Sequence, residues 1–230
     1  RVVVPHRVVQ RPGPPARSEE TDRNEEQGEL YLFKVREHIQ RIRQSAKIMR
    51  MGIRYSDDEL VAMVREVAER CGYREDVYIR PLVYKSTKAV GVRMHNLDDE
   101  FLLFVTPFGA YLDPDAGARC MTSSWRRVDD TSIPARAKVT GIYVNNAMAK
   151  TEANLNGFDE AIMLNDDGHV SEGSGENIIM LRHGKLVTPA PSDNILEGIT
   201  LDTVLGLAKT HLGLDVERRS IDRTELYIAD

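Results

Sequence analysis

Apolar residues recur along this chain with two different periods, and the alternation between them predicts its elements. From Glu37 to Met49 the positions Ile39, Ile42, Ala46 and Met49 fall at helical spacing. Ser56-Asp57-Asp58-Glu59 is a capping-box sequence. It opens a second helix with Leu60, Val64, Val67 and Ala68 on one stripe. Leu30 to Phe33, Val77 to Tyr84 and Phe101 to Thr106 are short runs of strand type. Residues 29–110 therefore read as a small α+β domain.

The turn formers Asp113-Pro114-Asp115-Ala116-Gly117 follow, and 111–117 is expected to link two domains. Beyond it strand-like and helical segments alternate. Arg119 to Ser123 and Asp159 to Leu164 read as strands, the second ended by Asn165-Asp166-Asp167-Gly168. Gly141 to Asn156 and Ile199 to His211 read as helices, the latter with Leu201, Val204, Leu205 and Ala208 apolar. Asn177 to Leu181 and Lys185 to Val187 form a hairpin around His183-Gly184. Asp222-Arg223-Thr224-Glu225 is a further helix-start signal. Residues 1–28 differ from all this. Arg11 to Arg17 is proline-rich and Ser18 to Gln27 almost wholly polar, so this segment is expected to be irregular.

Composition narrows the function classes. With 41% hydrophobic and 29% charged residues the chain has the balance of a soluble globular protein. A net charge of −5 argues against nucleic acid as a partner. The longest apolar runs, such as Phe101 to Val105, are too short to span a bilayer. Cys71 and Cys120 stand far apart in no paired motif, which suits a reducing cytoplasm and gives neither a disulfide framework nor a zinc site. The six histidines show no ligand spacing, and no metal is expected. There is no Walker A loop. Gly173-Ser174-Gly175 begins like a dinucleotide loop, but Ile178 occupies the place of the third glycine.

Four segments of the second half carry the remaining chemistry. They are Pro134-Ala135-Arg136-Ala137-Lys138-Val139-Thr140-Gly141-Ile142-Tyr143, then Ser171-Glu172-Gly173-Ser174-Gly175-Glu176-Asn177, then Glu197-Gly198-Ile199-Thr200, then Asp222-Arg223-Thr224-Glu225-Leu226. In this order the chain, from about Glu29 to Asp230, resembles the fold type IV enzymes that use pyridoxal phosphate (PLP), most closely the branched-chain amino acid aminotransferases. The resemblance implies a two-domain α+β / α/β fold of the D-amino acid aminotransferase type. Its larger C-terminal domain, with a mixed sheet or barrel, would cover 118–230.

The resemblance also implies roles. Lys138 would form the Schiff base with PLP and then move the substrate's proton, as a general base must. Glu172 would hold the proton on the pyridine nitrogen, and Tyr143 would hydrogen-bond the 3′-oxygen. Gly198, Ile199 and Thr200, at a helix start, would bind the phosphate through backbone N–H groups and a hydroxyl. Tyr78, Arg80, Phe108 and Tyr111 would contact the substrate, where an arginine can pair with the side-chain carboxylate of glutamate. The implied reaction is transamination between a branched-chain L-amino acid (Leu, Ile or Val) and 2-oxoglutarate by a cytoplasmic homodimer. Alternatives are an aminodeoxychorismate lyase, a D-amino acid aminotransferase, or an inactive relative. Three departures bear on this. The family's phosphate-binding Phe-Glu-Gly-x-Arg has no counterpart before Glu29, the family's Gly-Thr-Ala segment would lie beyond Asp230, and Leu201 stands where an arginine usually follows Gly-Ile-Thr. The 118–230 domain is accordingly expected to be truncated at its C-terminus.

Overall fold

The computed structural model describes residues 23–24, 29–108 and 117–230. The described residues fall into two compact units, one within 23–108 and one within 117–230. Most of the segment expected to be irregular, nearly all of the expected linker, and Tyr111 lie outside the described residues. Arg23–Asn24 (β1), from the charged stretch, pairs antiparallel with Glu29–Leu30 (β2). Main-chain hydrogen bonding needs no apolar side chain, so the charge pattern did not disclose this pair. The strand foreseen through Phe33 stops at Leu30.

In the first unit, helices α1 (Val35–Ile48) and α2 (Asp57–Cys71) pack on a hairpin of β3 (Val77–Lys85) and β4 (Asp99–Pro107). The capping box is present in full. Ser56 accepts from the Glu59 N–H, while the Glu59 side chain accepts from the Ser56 N–H. Val35, Ile39, Leu60, Val61 and Val64 are buried against Ile79, Phe101 and Leu103 of the hairpin. Val61 thus takes a core place that the sequence stripe gave to Val67. Alternation puts Tyr78, Arg80, Leu102 and Phe104 on the opposite face.

The second unit holds two three-stranded sheets. In one, β6 (Glu160–Leu164) lies between parallel β5 (Cys120–Thr122) and antiparallel β7 (Val170–Gly173). In the other, β9 (Lys185–Thr188) lies between antiparallel β8 (Met180–Arg182) and parallel β10 (Val216–Arg218). The mixed sheets agree with the expected fold class. Every residue of β6 is buried, and its two faces serve two cores. Ile162 and Leu164 join Val170, Ile178, Met180, Val187 and Ile221. Ala161 and Met163 meet Ala149 and Ala153 of α3 (Tyr143–Leu155). The two helix alanines are fully buried, and their small side chains let α3 approach the sheet closely. Helix α4 (Ile199–Leu212) buries Leu201 and Leu205 against Ile179 and Ile195. The Asp222 cap signal opens only a 3-10 turn, Arg223–Ile228.

Candidate active site

Lys138 and Tyr143 flank a short 3-10 turn, Thr140–Ile142, that leads into α3. The turn brings the ends of both side chains together. Lys138 Nζ donates to the Tyr143 hydroxyl at 2.5 Å. One helical turn on, Asn146 lies on the Tyr143 side of α3, as i,i+3 spacing requires. It is 5% exposed.

Glu172 arrives from β7, which sequence patterning did not single out as a strand. Ser-Glu-Gly is polar and small and carries no strand signature. The pairing with β6 also slips here. Ile162 opposes Gly173 and Leu164 opposes Val170, so Ser171 and Glu172 together face the single Met163. This bulge adds a residue and re-aims its side chain, a device common beside active sites. Glu172, readable in isolation as a loop carboxylate, is a buried strand residue with 7% of its side chain exposed.

The buried carboxylate is met by three donors. Arg127 Nη2 lies 2.7 Å from Glu172 Oε1. Asn177 Nδ2, at 3.0 Å, and the Leu196 backbone N–H, at 2.9 Å, both donate to Oε2. Each of the three Arg127 nitrogens is engaged. Its Nη1 donates to Asn146 Oδ1 at 2.7 Å and its Nε to the Asn194 carbonyl at 3.1 Å. Asn146 passes the link on, donating to the Ser174 carbonyl at 2.6 Å. Burial raises the Glu172 pKa from 4.5 to about 7, and the opposing pull of Arg127, the Leu196 N–H and Lys138 is too weak to cancel it.

Arg127, Lys138, Tyr143, Asn146, Glu172 and Asn177 all wall one open-mouthed cavity. The structure therefore brings Lys138, Tyr143 and Glu172 together. Gly198, Ile199 and Thr200 are not in that wall. Gly198 caps α4 without a side-chain hydrogen bond, and Thr200 is exposed. Gly198 reaches the site through Asn177, because a Cβ at 198 would stand 2.1 Å from Asn177 Oδ1. Tyr78, Arg80 and Phe108 form a cluster of their own. The rings of Tyr78 and Phe108 are 5.5 Å apart, and the Arg80 guanidinium lies 4.9 Å from the Tyr78 ring centroid.

Sequence reasoning missed Arg127, Asn146 and Asn177 as site residues. Asn146 left one trace, a polar residue on the inner face of a helix. Arg127 left none, because an arginine at a strand end is ordinarily solvated. Leu201, the departure from the family arginine, is 1% exposed in the core beneath α4.

The family model for amino-transferase class IV matches residues 23–230. The chain belongs to this family. A probable branched-chain-amino-acid aminotransferase of Aquifex aeolicus is 47% identical over 207 residues, covering 90% of this chain and 67% of that protein. The solved branched-chain aminotransferase of Thermoproteus uzoniensis with norvaline superposes with a TM-score of 0.84 at 45% identity, covering 87% of this chain and 67% of that one. The PLP form of the Thermobaculum terrenum branched-chain enzyme gives 0.84 at 39% identity, covering 90% and 67%. The chain thus spans about two thirds of the length of the relatives it matches.

Class IV aminotransferases use PLP, and the residues of the cavity fit it. A carboxylate offers about four acceptor positions. Three on Glu172 are taken by Arg127, Asn177 and Leu196, which leaves one for a protonated ring nitrogen. The same cavity presents a primary amine and a phenol at 2.5 Å from each other.

Proposed function

We propose that this chain transfers the amino group between branched-chain L-amino acids and 2-oxoglutarate, with PLP held in the cavity between Lys138 and Glu172. The convergence of Lys138, Tyr143 and buried Glu172 on one cavity carries the reading. Similarity to branched-chain aminotransferases supports the substrate class.

When bound, the cofactor supplies an aldehyde for amine exchange and a ring that accepts the electron pair left at Cα. The chain's own residues do the rest. Lys138 Nζ would hold the aldehyde carbon covalently, with loss of water, and as a free amine would carry the proton taken from the substrate's Cα. The Tyr143 hydroxyl orients that amine and binds the 3′-oxygen. Glu172 keeps the ring nitrogen protonated, and Arg127, Asn177 and the Leu196 N–H fix the carboxylate. Gly198, Ile199 and Thr200 hold the phosphate at the N-terminus of α4, where the unpaired N–H groups and the helix dipole favour an anion. The family resemblance gives recognition of the substrate side chain to Tyr78, Arg80, Phe108 and Tyr111. The guanidinium suits the carboxylate of glutamate and the rings suit aliphatic groups. A homodimer in the cytoplasm completes the reading. It rests on the family resemblance and on the free cysteines Cys71 and Cys120.

The test is to supply the chain with PLP, leucine and 2-oxoglutarate and measure glutamate. Glutamate formation that is lost in Lys138→Ala is expected. Pyruvate release from aminodeoxychorismate instead would assign the lyase reaction, and neither product would remove the assignment from this chain.

A further inference from the structure

The tight turn after β7 is held by two acids that the reaction above does not use. The Gly173 N–H donates to the Glu176 carbonyl at 2.7 Å, closing the turn that ends in Asn177. Its two inner amides are each met by a carboxyl group. Ser174 N–H donates to Glu160 Oε1 at 3.3 Å, and Gly175 N–H to Glu176 Oε2 at 3.2 Å. Glu160 is 3% exposed and Glu176 7%. The two carboxyl groups thus meet successive amides of one turn, both out of solvent.

The two acids are unequally provided. Glu160 has a cation, Lys150 Nζ, at 2.7 Å, and accepts a second backbone N–H from Ala161 at 2.7 Å. Glu176 has one backbone N–H. Its Oε1 is sealed from solvent and meets no donor. An ionised Glu176 would leave a buried anion facing another with a single ammonium to serve both, and like charges at that range cannot both ionise cheaply. A proton on Glu176 removes the conflict, because it supplies the missing donor and makes Glu160 its acceptor.

We infer that Glu176 is a positioning residue, holding a proton shared with Glu160 that locks the Ser174–Asn177 turn and so the Asn177 amide against Glu172. The remaining groups around the pair agree with this assignment. Lys150 comes from α3, and the Cys120 thiol from β5 is pushed upward by burial first and then by both glutamates. Across the cavity wall the Arg127 charge is engaged by Glu172. Burial and then Glu160 raise Glu176 from 4.5 to about 7, in line with the donor count. The inference goes beyond the proposed reaction; its thermal readout concerns the chain without cofactor and does not depend on that reaction, while its second readout rests on the proposed PLP site.

The sign of its pH dependence follows from linkage. A carboxyl that binds its proton more tightly folded than unfolded favours the fold most below about pH 4.5, and that help fades as pH rises to about 7. Glu176→Gln carries a neutral amide of the same shape and has no such dependence. The experiment is the thermal midpoint of the cofactor-free chain and of Glu176→Gln between pH 4.5 and 8. Groups outside the Glu160–Glu176 pair, Glu172 included, cancel in the difference. The variant's midpoint is expected to rise relative to the parent's between about pH 4.5 and 7 and to run parallel above. A difference that is constant with pH, or one that falls, overturns the inference. As a second readout on the same samples, Glu176→Gln should keep the dissociation constant for PLP within about threefold at pH 6, whereas Glu176→Ala should weaken it about tenfold or more. Equal loss in both variants also overturns it.

Discussion

Arg127 and Glu172 form a buried ion pair, Nη2 to Oε1 at 2.7 Å, with 2% and 7% of their side chains exposed. Burial of the acid outweighs the attraction of its partner, and the Glu172 carboxyl sits at about 7. The pair therefore holds the carboxylate in place without committing its proton. That poise suits the role proposed for Glu172, sharing a proton with a ring nitrogen at neutral pH.

Arg127→Met removes the cation and leaves the buried acid with only the Asn177 and Leu196 N–H donors. It also strips Asn146 and Asn194 of their donor. A loss of about 3–5 kcal/mol in urea unfolding at pH 8 is expected. The loss should shrink at pH 5, where Glu172 takes up a proton. Arg127→Lys should recover only part of it, since an ammonium cannot reach Glu172, Asn146 and Asn194 together in the geometry of a guanidinium.

Glu172 gives the cofactor-free chain a pH signature. Its folded value of about 7 lies above the ordinary 4.5, so the folded state binds the proton more tightly. Stability from this source is full below about pH 4.5 and declines as pH rises to about 7. The total change is on the order of 3 kcal/mol. Unfolding free energies of the parent and Glu172→Gln across this range should converge on a difference that moves by that amount and is flat above pH 8.

Gly198→Ala tests how the loop before α4 reaches the site. The added Cβ would stand 2.1 Å from Asn177 Oδ1, and Asn177 is tied by its Nδ2 to Glu172 and to the Leu196 carbonyl. The amide cannot retreat without giving up those bonds. A loss of about 1–3 kcal/mol in thermal or urea unfolding is expected. Asn177→Ala made alongside Gly198→Ala should remove most of the added cost, because the clash partner is gone.

Much of this architecture was legible because periodicity and caps are local. The Ser56 box, most of the stripe of α2 and the strand runs of β3 and β4 follow from neighbouring residues. Lys138, Tyr143 and Glu172 were legible only through order along the chain, not through their own chemistry. What stayed hidden depends on contacts far apart in sequence. Arg127 meets Asn146, Glu172 and Asn194, and nothing in Ser-Ser-Trp-Arg-Arg announces such partners. The bulge at Ser171 and Glu172 is hidden for the same reason, since a register slip exists only between two strands.

Leu201 shows how a departure from a family pattern can be absorbed by packing. It fills the core with Ile179, Ile195 and Leu205. Leu201→Arg would bring a charge to that contact. A loss of about 3 kcal/mol in urea unfolding is expected, with only partial relief if the long side chain reaches solvent.

The amine of Lys138 as the attachment point of PLP is the claim on which the functional reading rests. The direct measurement is to incubate the chain with PLP, reduce with borohydride, digest, and locate the pyridoxyl mass by peptide sequencing. The label is expected on Lys138, and absent from that peptide in Lys138→Ala. Label on other lysines with none on Lys138 would contradict the account.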